Sequence, residues 1–212
     1  MKLKNKFKLL KLKNLNIVKC LFCSVVPKTF QLIKKYIRQF YKINCFELKD
    51  LNIKKLITIK VNKKQIGSDR LANAIGSMNN KDNFIILDFG TATTFDVLIK
   101  NVYHGGVIAP GLKLSLNMLI SNASLIPQLN LKKINKIIGS NTVSAVRYGF
   151  YWGFIGLIDN IINLIKKETR KPFKIIITGG FSHLFTTSIY KKATINKDIT
   201  INGLIKATDL IK

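Results

Sequence analysis

A chain of 212 residues with 47% hydrophobic content can bury a sizeable core, which excludes a disordered polymer. Its mean hydropathy is only +0.17, and Asp159, Asn160 and Asn163 interrupt its richest apolar run, so no membrane span is expected. The formal charge of +26 invites a polyanion, but Arg stands only at 38, 70, 147 and 170; without Arg forks or clustered aromatics, no specific nucleic-acid partner is expected.

The lysine surplus accompanies Ile and Asn along the whole chain, as AT-rich coding would produce. Residues 1–15 are a Lys/Leu/Asn stretch without Asp, Gly or a small-residue cleavage site, which makes the cytoplasm the default. Residues 16–26 read as a buried strand ending at Pro27, and 28–41 as an amphipathic helix. Cys20, Cys23 and Cys45 are odd in number and have no partner at zinc spacing, so they read as buried thiols. Short strands are predicted at 43–48 and 56–61, and a helix from Gly67-Ser68-Asp69-Arg70 to about Met78.

Three strands follow, at 83–88, 94–99 and 105–109. A helix covers 112–121, a loop 124–140, and a long helix 142–167. A buried strand at 173–178 runs into Gly179-Gly180 and a short helix; a last strand at 199–201 and a helix over 203–211 close the chain. Consecutive strands followed by alternating helix and strand predict an α/β fold.

The sharpest chemical signal is Asp88-Phe89-Gly90-Thr91-Ala92-Thr93-Thr94-Phe95-Asp96. A strand delivers a carboxylate, Gly90 allows a tight turn, and Thr91, Thr93 and Thr94 offer hydroxyls and N–H groups to phosphate oxygens. The carboxylate repels phosphate, so it should hold a cation or position a water. Asp69, beside Arg70 at a helix start, reads either as a cap or as a general base orienting an attacking hydroxyl. Arg70 could clamp a substrate carboxylate. Gly105 and Gly106 stand where bulkier residues would block a ligand or a helix, and Gly149, Gly153 and Gly156 on the long helix suggest close packing, with a dimer as one occasion for it.

These segments, taken with Ser24-Val25-Val26-Pro27, Gly139-Ser140-Asn141-Thr142 and Thr178-Gly179-Gly180 in this order, resemble the type III pantothenate kinase family over about residues 20–212. The resemblance implies an actin-like, ribonuclease-H-like two-lobe α/β kinase fold, divided here into 1–65 and 66–212. It implies ATP-dependent phosphorylation of pantothenate, the first committed step toward coenzyme A, by a cytoplasmic homodimer. It implies Asp69 as proton acceptor and Gly67, Ser68, Asp69, Arg70 and Thr142 as pantothenate contacts. Thr91 is implied as an ATP contact and Asp88 as ligand of a monovalent cation (potassium or ammonium), with Mg2+ arriving on the nucleotide.

The family opens on an Asp-x-Gly-Asn-Thr phosphate loop, and no such segment precedes Ser24. A truncated first lobe, a complete second lobe and impaired activity are therefore expected. Lys60 stands where many relatives carry an aromatic substrate contact. A non-catalytic relative acting as a regulatory or nucleic-acid-associated binding protein is the alternative.

Overall fold

The computed structural model describes residues 17–185 and 193–211, so the 1–15 stretch lies outside the described residues. The chain opens with β1 (Cys20–Phe22), α1 (Pro27–Tyr41) and β2 (Cys45–Glu47). β1 and β2 form a two-stranded parallel sheet in which Cys20 pairs with Cys45. The three thiols are free. Cys45 is buried and the other two are half-buried, and burial pushes Cys20 up to about 12 and Cys23 up to about 11.

A six-stranded sheet carries the rest. It contains β3 (Thr58–Ile59), β4 (Asn83–Phe89), β5 (Ala92–Ile99), β6 (Val102–Pro110), β7 (Lys174–Gly179) and β8 (Thr194–Ile195), ordered β3-β6-β5-β4-β7-β8. β4, β5 and β6 form an antiparallel meander; β7 and β8 extend it in parallel beyond β4, and β3 runs parallel to β6. The helices are α2 (Ser68–Ser77), α3 (Leu112–Asn122), α4 (Thr142–Thr169), α5 (Ser182–Phe185) and α6 (Ile199–Ala207). The class is the mixed α/β one, and a meander extended by parallel strands is the order expected of a ribonuclease-H-like lobe.

Apolar residues on both faces of β4 explain why the sheet is covered on both sides. Ile85, Leu87 and Phe89 face α4, packing with Tyr151, Ile155, Ile158 and Ile162. Phe84 and Ile86 face the other way, against Leu71, Ala74 and Ile75 of α2 and Ile199 and Ala207 of α6. α4 starts at a capping box, in which the Asn141 side chain accepts from Ser144 N–H and the Ser144 side chain reaches back. It ends at Arg170 in the left-handed conformation.

α2 and α6 touch backbone to backbone. A side chain at Gly203 would collide with the Ala72 carbonyl oxygen, and one at Gly76 with that of Ile199. Lys206 Nζ then donates to the carbonyls of Ile75, Gly76 and Met78 at 3.3, 3.0 and 3.0 Å, closing the C-terminal end of α2.

Several predicted bounds move. The strand expected at 16–26 is only Cys20–Phe22, and that at 56–61 only Thr58–Ile59. The strand expected at 199–201 is the first turn of α6, and a 3-10 turn, Thr208–Leu210, follows the helix. Ile199, Gly203 and Ala207 are buried at helical spacing, and this tertiary burial overrides the β-branched Ile-Thr-Ile signal.

Candidate active site

Asp69 sits in the first turn of α2, where a carboxylate is favoured by the helix dipole. Its Oδ1 accepts the Arg70 backbone N–H at 2.8 Å. The carboxylate folds back over Gly67, whose missing side chain makes the room: a Cβ there would meet Asp69 Oδ1. Ser68 is buried and donates through Oγ to Glu47 Oε1, which also accepts the Ser24 N–H at 3.4 Å. Glu47, at the end of β2, therefore ties the 67–70 loop to the first sheet.

Asp88 reaches the site from β4. Its Oδ2 accepts Asn73 Nδ2 at 3.0 Å, and Asn73 Oδ1 in turn accepts the Thr200 hydroxyl at 2.6 Å. Asn73 lies one helical turn beyond Asp69 and is wholly buried, so one face of α2 serves both carboxylates. Burial pushes the Asp88 carboxyl above its ordinary value, the Asn73 hydrogen bond pulls it back, and the Asp69 charge pushes it up again. Asp69 acts in the same upward sense on Asp96. Asp88 lines the neighbouring cavity, whereas Asp69 is not among its lining residues; the two carboxylates are linked through Asn73 and by the charge of Asp69.

A cavity of about 440 Å³ opens beside Asp88, lined also by Thr178, Gly179, Gly180, Ser182, His183, Lys197 and Thr200. Gly179 has φ +88, and a Cβ there would stand 2.6 Å from Asp88 Oδ1 and from the Phe89 backbone, so only glycine lets β7 pass this close. The turn at Gly90 and Thr91 is exposed at the adjoining end of β4. Thr93 and Thr94 do not share that exposure. Their hydroxyls are buried, so of the three threonines expected to meet phosphate only Thr91 is exposed.

Among the described residues Asp88 forms no ion pair, and no three His, Cys, Asp or Glu side chains gather as for a transition metal. A carboxylate with the hydroxyl-bearing Thr178, Ser182 and Thr200 lining the same cavity is the donor chemistry of a hard cation, so these residues fit such an ion.

Arg70 is already engaged. Its Nε and Nη2 donate to Asp96 Oδ1 at 2.8 and 2.7 Å, and Tyr103 Oη donates to the same oxygen at 2.5 Å. A clamp that spends both of these nitrogens on a substrate carboxylate is thus ruled out in this conformation, and Nη1 is the remaining nitrogen. Thr142 is exposed at the start of α4, and among the described residues no hydrogen bond joins it to the Asp69 and Asp88 group. Lys60 is exposed and bonds through its backbone N–H to the Tyr103 carbonyl at 3.0 Å.

Sequence reasoning missed Glu47, Asn73, Tyr103, Lys197 and Thr200. Asn73 could have been found from its i+4 spacing to Asp69. The others depend on strand register and helix crossing, for which no local pattern exists.

A sequence model of the type III pantothenate kinase family matches residues 3–164. The type III pantothenate kinase of Pelagibacter ubique is 72% identical over 203 residues, covering 96% of this chain and 82% of that one. That of Maricaulis maris is 33% identical over 92% of this chain and 76% of its own length. For the Jannaschia enzyme the match is 43% identical and spans 54% of the relative. Among solved structures, a conserved Baf family protein from Campylobacter jejuni, named for transcriptional activation, superposes with a TM-score of 0.64 at 18% identity, over 96% of this chain and 87% of that one; at that identity the likeness is one of fold. No helix among the described residues is long and apolar enough to cross a membrane. With the family's sequence model matched over residues 3–164 and a family enzyme 72% identical across 96% of the chain, the chain belongs to the type III pantothenate kinase family.

Proposed function

We propose that the pantothenate kinase activity of the family is carried out here with Asp69 as proton acceptor. The reaction transfers the γ-phosphoryl group of ATP to the primary hydroxyl of pantothenate, at the entry to coenzyme A biosynthesis. As the hydroxyl oxygen bonds to phosphorus, its proton passes to Asp69, and ADP leaves with the electron pair of the broken P–O bond. Phosphoryl transfer asks mainly for positioning and charge.

In this reading Gly67, Ser68, Arg70 and Thr142 contact pantothenate, and Thr91 contacts ATP. Asp88 holds potassium or ammonium, which supplies positive charge toward the phosphates, and Mg2+ arrives with the nucleotide. The observation that carries the reading is that one face of α2 holds Asp69 and, through Asn73, grips Asp88 beside a cavity.

The same reading takes the enzyme as a cytoplasmic homodimer. Gly149 and Gly153 have open space beside them: a Cβ added to either would meet nothing within 4 Å among the described residues. They line an apolar groove of about 490 Å³ with Leu119, Val146, Phe150 and Leu157, and Thr142 heads the same stripe of α4. A division into lobes 1–65 and 66–212 is supported by the two separate sheets, although β3 hydrogen-bonds onto the second.

The test is phosphorylation of pantothenate by this chain with ATP and potassium. Asp69→Asn should lose roughly 10²–10⁴-fold in kcat with its fold intact by circular dichroism. An Asp69→Asn variant turning over at the parent rate would falsify the assignment.

A further inference from the structure

Asp96 and Tyr103 take part in none of the steps above, and both are buried. As an element of stability alone, Asp96 is a poor choice. Its Oδ2 is buried with no hydrogen-bond partner among the described residues, and burial, only partly offset by Arg70, pushes its carboxyl up to about 6. A buried ion pair of this kind adds little over apolar packing. What it does fix is direction.

β5 sets Asp96 directly across from Gly106 of β6. A Cβ at Gly106 would stand 2.8 Å from Arg70 Nη2, so the glycine is the floor of a slot for the guanidinium. Asp96 Oδ1 holds two of the three guanidinium nitrogens, and Tyr103 Oη holds that same oxygen at 2.5 Å. The planar fork can then neither rotate nor swing away. A free arginine loses its rotamers when it binds an anion; here they are lost in folding, and among the described residues no hydrogen bond takes up the Nη1 edge.

We propose that Asp96 and Tyr103 are positioning residues that aim the free Nη1 edge of Arg70 at the carboxylate of pantothenate, so that the β5–β6 pair sets the preference for an acid over the corresponding alcohol. This rests on the reading that Arg70 contacts pantothenate.

The experiment is equilibrium calorimetry on the full chain with pantothenate and with pantothenol, which carries a hydroxymethyl group in place of the carboxylate; no turnover is needed. The parent should bind pantothenate more tightly, and Arg70→Met should bring the two affinities to within about twofold. Asp96→Asn should cut the preference about tenfold and Tyr103→Phe about threefold, with pantothenol affinity unchanged. Tyr103→Phe removes one hydroxyl only, which keeps the question open if Asp96→Asn folds poorly. Arg70→Met with an undiminished preference, or a parent that binds neither ligand, sinks the underlying reading and this one with it. Loss of preference in Arg70→Met alone, with Asp96→Asn and Tyr103→Phe at the parent ratio, overturns the positioning role. So does equal weakening of both ligands in the Asp96 and Tyr103 variants, which is what a merely structural role would produce.

Discussion

Asp96 gathers three donors on one oxygen beneath the helix that carries Asp69, and its titration follows from that position. Desolvation raises its carboxyl, the Arg70 charge and the hydrogen bonds from Arg70 and Tyr103 work against the rise, and Asp69 adds to it, with about 6 as the outcome. An aspartate in an unfolded chain titrates at about 4, so the folded protein is the better proton binder between the two values. The stability from this group is fully present below about pH 4 and is lost as pH climbs through about 6. The parent's resistance to urea should fall as pH rises across that window, whereas Asp96→Asn should show a distinctly flatter pH slope. Parallel slopes in the two proteins would place Asp96 in an ordinary, solvated setting. Asp88 is shifted in the same direction by burial, so some slope should survive the substitution.

The glycines of α4 separate two demands on an element. Each helical glycine costs roughly 1 kcal/mol against alanine, and neither Gly149 nor Gly153 is required by a neighbour among the described residues. Gly149→Ala should therefore raise the unfolding free energy of the separated chain by about 1 kcal/mol, read by urea denaturation at high dilution. If two copies meet along this stripe, Gly153→Leu should halve the mass seen by light scattering while leaving helix content unchanged. A parent that is monomeric at every concentration removes the dimer.

How much an element reveals of itself varies along the chain. α4 was legible because its cap, its apolar spacing and its C-terminal basic residues agree. α6 was legible only from Gly203 onward, since Ile199-Thr200-Ile201 has strand propensity and the packing of Gly203 and Ile199 against α2 draws that stretch into the helix. The Asp88 hairpin could be read from its residues because a strand, a glycine and threonines lie consecutively. The Arg70 slot could not, because Asp96 and Gly106 become neighbours only through the register of β5 on β6.

At the scale of the whole molecule, the charge of +26 and the site are separate matters. Part of the excess lies on α1 and just beyond it, where Lys35, Arg38 and Lys42 line a cleft of about 620 Å³ with Gln39 and Asn44. Such a surface attracts any polyanion by releasing its counterions. Duplex DNA should be retained at about 50 mM salt and released by about 200 mM, without preference among sequences. Retention that persists at the higher salt would instead mark a dedicated nucleic-acid surface.

The crossing of α2 and α6 limits how such a molecule can work. With glycine backbones in contact at two places and Lys206 clasping three carbonyls at the far end, α2 cannot slide along its axis without dragging its neighbour. Asp69 and Thr200, one on each helix, therefore belong to a single rigid pair, and any displacement of α2 is passed on to the wall of the cavity beside Asp88.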